Sequence, residues 1–180
     1  SAAPSAPGAK NYLFDAGGSK FGDATRFFAQ AYQKRGIVFD HVVVWEALKQ
    51  DYEAYWDGVT PEVRKFWEPR TLFHNGVPVT ATEGDQHNPV DRIAKLCRPE
   101  DFCAFKLDID TPQVEGPIVQ QILDNRANIA GLLDEFFFEH HVHGLFQNYG
   151  WGDQVAGTYA DSYAIFTKLR QLGIRAHSWI

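Results

Sequence analysis

The chain has 180 residues, 44% of them apolar and 22% charged, which suits one globular domain with a real core and leaves little room for two. A formal net charge of -6, spread evenly along the sequence, excludes the basic footprint of a nucleic-acid binder. No apolar run approaches the roughly 20 residues that span a bilayer, and the 14% aromatic content excludes a disordered chain.

The first residues, Ser1-Ala2-Ala3-Pro4-Ser5-Ala6-Pro7-Gly8-Ala9, read as a flexible linker over positions 1–10, ahead of a single domain over 11–180. With no methionine in the sequence, this reads as a processed start, compatible with a removed targeting segment or anchor, and the compartment stays open.

Tyr12-Leu13-Phe14 is a short apolar run that ends at Asp15, followed by Gly17, Gly18 and Gly22. Ala24, Phe27, Phe28, Ala31 and Tyr32 then recur with helical spacing, and Gly36 is the expected stop. Val42–Trp45 is β-branched and aromatic and ends in Glu46, completing a strand–turn–helix–strand unit. Leu48–Trp56 reads as a helix. A second helix starts at Pro61 with Thr60 as its cap. Arg70–His74 and Val77–Ala81 read either as a hairpin about Asn75-Gly76 or as one strand with an irregular tail.

Pro89–Leu96 reads as a helix capped by Asn88, and Phe102–Ile109 as the strongest internal strand. A helix is expected over Pro117–Leu123, then a strand over Ile129–Phe138 that runs into Glu139-His140-His141-Val142-His143. A glycine-rich loop leads to a helix over Tyr159–Leu172, stopped by Gly173, and to a final strand over Ile174–Ile180. Phe27, Phe28 and Phe136–Phe138 read as core. Two cysteines exclude a disulfide scaffold and cannot make a four-ligand zinc site; a single bridge between Cys97 and Cys103 is the weaker reading, since Cys103 opens a buried strand and buried cysteines are commonly free.

Strands alternating with helices predict an α/β fold, Rossmann-like and doubly wound, with a mostly parallel sheet. Such sheets bind ligands beyond the carboxyl ends of their strands, which singles out Asp15, Glu46, Asp108, Asp110, Glu139 and His140. Asp15-Ala16-Gly17-Gly18-Ser19 lies in a strand-to-helix turn, and Glu46 ends the next strand, where a carboxylate can accept ribose hydroxyls. This pattern predicts an adenosine-containing ligand held by Asp15, Gly17, Gly18, Ser19, Glu46 and Asp108. The glycine spacing does not match Gly-x-Gly-x-x-Gly, so a nicotinamide-dependent oxidoreductase is the weaker fit. Asp15 opening the turn suits a ligand with a positive amino group, which points to S-adenosylmethionine.

Leu13-Phe14-Asp15-Ala16-Gly17 is similar to the first motif of class I S-adenosylmethionine-dependent methyltransferases. Lys106-Leu107-Asp108-Ile109-Asp110, with Glu115 beyond, resembles the Lys-x-Asp-x-Glu-Gly strand end of FkbM-type methyltransferases, and Leu132–His141 resembles their following strand. The likeness runs in order from Asn11 to Ile180. It implies methyl transfer, usually to an oxygen of a sugar (glycan) or small metabolite. Here Thr111-Pro112 stands where the family has its glycine, the first turn is one residue longer, and a seventh strand is not evident.

An oxygen nucleophile needs a base, and His140 and His141 at a strand end are the candidates, with His143 two positions on. Asp108, Asp110, Glu139 and His140 offer an alternative role for the same edge, as ligands to a divalent cation such as Mg²⁺ or Mn²⁺. Tyr149, Trp151 and Tyr159 flank the glycine-rich loop as candidates for a lid or pocket wall. A reading of another class is a methyltransferase-like protein without catalysis, serving as a binding or assembly module for a protein partner.

Overall fold

The computed structural model describes residues 8–142, 155 and 157–179. Six strands form one sheet: β1 (Asn11–Ala16), β2 (His41–Glu46), β3 (Thr71–Asn75), β4 (Phe102–Leu107), β5 (Glu135–Phe138) and β6 (Arg175–Ser178). Their order is β3-β2-β1-β4-β5-β6, and every neighbouring pair is parallel. This is the α/β doubly wound, Rossmann-like arrangement expected from the alternation of strands and helices. The chain winds outward from β1 to β3, then crosses to β4 and winds the other way. The switch point therefore lies between β1 and β4.

Six helical segments cover the sheet: α1 (Arg26–Gln33), α2 (Tyr52–Tyr55), α3 (Pro61–Trp67), α4 (Pro89–Leu96), α5 (Pro112–Leu123) and α6 (Tyr159–Gln171). On one face Phe28, Ala29, Tyr32, Tyr55, Trp56 and Trp67 pack onto Leu13, Val42, Val44 and Ala104. On the other, residues of α4, α5 and α6 such as Ile93, Ile118 and Leu169 pack onto Phe14, Val43, Phe105 and Phe136. Strand alternation sends successive side chains to opposite layers, so Asp15, Lys106 and Asp108 share the α1 face. Among the described residues, no helix is long and apolar enough to cross a membrane.

Local chemistry sets the boundaries. Thr60 caps α3 with Pro61 in its first turn, and the Asn88 side chain accepts the Val90 N–H at 2.9 Å to cap α4. Gly36 and Gly173 follow their helices with φ of 82° and 93°, as helix stops require.

Several expectations are corrected. No hairpin forms at Asn75-Gly76. Val77 donates its N–H to the Glu46 carbonyl at 2.9 Å, and Val79 is buried in the layer of α4, so the chain folds back over the sheet instead of pairing with β3. Of Leu48–Trp56 only Tyr52–Tyr55 is helical, because Asp51 supplies the cap and starts the turn there. The α5 helix begins at Pro112, not Pro117. Proline suits a first turn, and the buried Glu115 carboxyl accepts the Ile109 N–H at 3.0 Å, fixing the entry. The strand expected over Ile129–Phe138 is confined to β5. Its first residues form a 3₁₀ segment, Arg126–Gly131, and Asp134 is held by the Cys103 N–H at 2.9 Å. Phe27 is not core but 55% exposed, because Phe28 takes the inward position.

The two cysteines are not free thiols. Cys97, at the end of α4, and Cys103, in β4, form a disulfide with their Cα atoms 6.6 Å apart. The six-residue spacing hid this. Only the turn over Arg98–Asp101, where Asp101 accepts the N–H groups of Lys10 and Arg98, brings the sulfurs together.

The tightest steric demand sits at Gly17, whose φ is 90°; a Cβ there would run into the carbonyl oxygen of Asp108. Gly17→Ala is expected to cost about 3 kcal/mol or more, since neither strand end can retreat without breaking the β1–β4 ladder. Urea denaturation reads this directly, and an unchanged midpoint would show that the turn does not pack against β4.

Candidate functional site

The carboxyl edge of the sheet is organised around Lys106. Its side chain is 2% exposed and lies opposite Asp15 in the β1–β4 register. The ammonium stands 3.4 Å from Asp15 Oδ1 and 3.0 Å from Asp108 Oδ2, and donates to the Gly17 carbonyl at 3.1 Å. Burial alone would lower the Lys106 pKa, but the two carboxylates hold it above the ordinary lysine value. Asp15 is fully buried, and its other oxygen accepts the Thr25 hydroxyl at 2.8 Å.

Asp15 was expected to reach a ligand. It is turned instead into the α1 layer, where it balances Lys106. Lys106 is the residue that sequence reasoning missed. Its signal was present, because a lone lysine in an apolar strand facing a strand-borne aspartate asks for a partner.

The β1–β2 half of the edge is tightly hydrogen-bonded. Gly17 and Gly18 both donate their N–H groups to the Trp45 carbonyl, at 2.9 and 3.1 Å. A Cβ on Gly18 would strike Val44, so this residue too must be glycine. Gln50 donates to the Ser19 carbonyl at 2.6 Å and exchanges hydrogen bonds with Asn75, tying the turns after β1, β2 and β3 together. Glu46 is half-buried at the end of β2, with one carboxylate oxygen accepting the Leu48 N–H at 2.7 Å.

The β4–β5 half is acidic. Asp110 takes a left-handed backbone, φ 55°, and turns the chain from β4 into α5. The Nε2 atom of His141 lies 3.4 Å from Asp110 Oδ1 and 3.8 Å from Glu139 Oε2. One donor atom each from Asp110, Glu139 and His141 falls within 4.8 Å of the others, spacing that suits three ligands of one divalent cation. Asp108 and His140, expected in that set, stand outside it: Asp108 is engaged by Lys106, and His140 stacks on Phe138 with ring centroids 5.3 Å apart.

Electrostatics follow from this crowding. Burial, then the hydrogen bond and charge of Asp108, then Asp110 and Glu115, push the Glu139 carboxyl up to about 8. Burial pushes Glu115 up to about 7, against the Ile109 N–H, with Asp108 and Asp110 adding to the rise. Burial would raise Asp108, but the hydrogen bond from Glu139 and the Lys106 ammonium hold it below the usual range. Burial, and then the neighbouring His141, lower His140.

A cavity of about 310 Å³ opens beside this half, between α5, the end of β5 and α6. His140 and His141 line it, whereas Asp15 and Glu46 do not, so those two acids share no hollow with it. Tyr159 is 50% exposed at the start of α6, while His143, Tyr149 and Trp151 lie outside the described residues. No family model matches the chain, and no curated protein matches it.

Two predictions follow from the charges. Lys106→Met leaves Asp15 buried without its counterion and should cost roughly 3–5 kcal/mol. Asp15→Asn added to it should recover most of that loss in urea denaturation, and no recovery would mean that Lys106 is held by packing alone. The second concerns pH. A carboxyl whose pKa is raised by folding stabilises most fully below its unfolded value, and that contribution is lost as pH rises through the folded one. For Glu115 and Glu139 the loss runs up through about 7 and about 8. His74, lowered from 6.5 to about 4, acts in the opposite sense, but only between those two values. The melting temperature should therefore fall between pH 6.5 and 8, and Glu139→Gln should flatten the fall; a flat profile in the parent protein would contradict the acidic cluster.

Proposed function

We propose that the chain is an S-adenosylmethionine-dependent methyltransferase acting on an oxygen of a small acceptor. The observation that carries this reading is a pairing at the switch-point edge. A strand-to-helix turn, whose glycine N–H groups are already spent on the Trp45 carbonyl, stands beside a half-buried carboxylate, Glu46, ending the next strand. Such a turn has little to offer a pyrophosphate, which needs those N–H groups free. It can still let an uncharged nucleoside approach the backbone, with Glu46 accepting from the ribose hydroxyls. That disfavours a nicotinamide cofactor.

In this reading the turn residues Gly17, Gly18 and Ser19 and the carboxylate of Glu46 hold the adenosyl part. Asp15 and Asp108 act through Lys106, which fixes the Gly17 carbonyl. The ligand supplies a methyl group on a sulfonium, which needs alignment above all. The acceptor lies in the cavity beside β5. His140, whose pKa burial lowers, would accept the proton of the acceptor hydroxyl, and the bound ligand would supply the methyl group. Asp110, Glu139 and His141 would be the ligands of a divalent cation, if one takes part, on the side of the cavity where His141 stands.

One observation favours the second reading, a methyltransferase-like module without catalysis. Asp15, the acid that opens the turn, is fully buried and balanced by Lys106, so no ligand amino group can claim it without breaking that pair.

Isothermal titration with S-adenosylmethionine, S-adenosylhomocysteine and NAD separates the readings. The first two should bind and NAD should not. Glu46→Ala should weaken the adenosyl ligands about 10-fold or more, the worth of hydrogen bonds to a charged group. Binding of NAD alone overturns the proposal, and binding of none of the three leaves the module.

A further inference from the structure

We infer that the cavity between α5 and α6 binds a small apolar molecule bearing one hydroxyl, of the phenol class, rather than a sugar. The inference rests on the methyltransferase reading only for the fate of that hydroxyl; the binding site stands on its own walls. Val119 and Leu123 from α5, Ile165 from α6 and Phe138 from β5 supply the sides. At about 310 Å³ the space lies at the small end of ligand pockets, which run roughly 300–1,000 Å³.

Among the described residues five polar side chains line the cavity, and two of them, Glu115 and Gln120, already hold partners. Glu115 accepts the Ile109 N–H, and Gln120 donates to Asp124 at 2.8 Å, away from the hollow. Gln113 is the other amide in the wall, and His140 and His141 complete the polar set at the β5 end. A sugar brings several hydroxyls, and each one set against valine, leucine or phenylalanine without a partner costs binding energy. A phenol brings one. Its ring finds a matching surface in Phe138 and His140, whose rings stack at 26°. His140 and His141 at the β5 end of the wall are the imidazoles that one hydroxyl can pair with.

The test uses the full chain with 2-naphthol and, for comparison, methyl β-glucoside, each titrated calorimetrically without any adenosyl ligand. Saturable naphthol binding is expected, with the glucoside at least 10-fold weaker. Gly116 lines the cavity, and a Cβ built there meets no atom within 4 Å, so the helix admits a side chain at this position and Gly116→Trp should fill the space. It should weaken naphthol at least 10-fold, while Gly116→Ala leaves the affinity within about 2-fold. Circular dichroism verifies the fold of both variants; should the tryptophan variant not fold, competition between naphthol and phenol for one site in the parent protein replaces it. No saturable naphthol binding, equal or tighter binding of the glucoside, unchanged affinity in folded Gly116→Trp, or absence of competition overturns the inference. Naphthol binding without any adenosyl binding upholds the pocket and removes methyl transfer. Adenosyl binding without naphthol binding does the reverse.

Discussion

A single buried ammonium holds the working edge of this protein in place. Lys106 sits on β4, in the layer that α1 covers, with carboxylates on both sides and the carbonyls of Ala16 and Gly17 above. Nothing else in the sheet would tolerate two strand-borne aspartates so close together in an aromatic layer. Because the lysine joins β1 to β4 at the point where the winding reverses, it fixes the two turns that a switch-point ligand must pass between. The steric fit of Gly17 against the Asp108 carbonyl depends on the same alignment.

That charge also divides the edge in two. On the β1–β2 side, Asp15 is balanced, the glycine amides are bonded to Trp45, and Gln50 and Asn75 tie the turns together, which leaves Glu46 as the carboxylate at the end of β2. On the β4–β5 side Lys106 reaches only Asp108. Asp110, Glu115 and Glu139 are left without a counterion from it, and burial first, with the neighbouring acids adding, makes Glu115 and Glu139 hold their protons near neutrality. Proton exchange or a cation suits this second half.

The architecture was legible because burial writes itself plainly into parallel strands. Val42–Trp45 is a continuous apolar run and Phe102–Leu107 is one but for Lys106, as strands covered on both faces must be. Caps were legible too, since Thr60, Asn88 and the glycines after the helices act locally. What was not legible depended on contacts far along the chain. Val79 left strand pairing to bury itself in the layer of α4, and the disulfide depended on how Asp101 folds a short turn. The site was half legible. Strand-end positions of Asp108, Glu139 and the histidines follow from where the strands stop. Which way each side chain turns does not: Asp15 points into a layer and His141 toward Asp110, because their partners come from other strands and loops.

Strain and stability are segregated between the two ends of the sheet. At the amino end the buried and half-buried acids Asp101, Asp134 and Glu135 are spent on structure. Asp101 holds the backbone of Lys10 and Arg98, Asp134 holds Cys103, and Glu135 accepts from Tyr32 and pairs with Arg175 at 3.0 Å, all beside the Cys97–Cys103 bridge. At the carboxyl end lie the left-handed Asp110, the glycine pressed on a carbonyl, the mutually repelling carboxyls and the unpartnered nitrogen of His140. Local costs of this kind persist only where the surrounding fold over-determines them. The locked end supplies that constraint through β4, which begins at the disulfide and ends at Asp108, so a rigid strand carries stability from one edge to strain at the other. Of these costly groups, Glu115 and His140 also line the cavity, so the strain that β4 underwrites reaches the wall of that hollow.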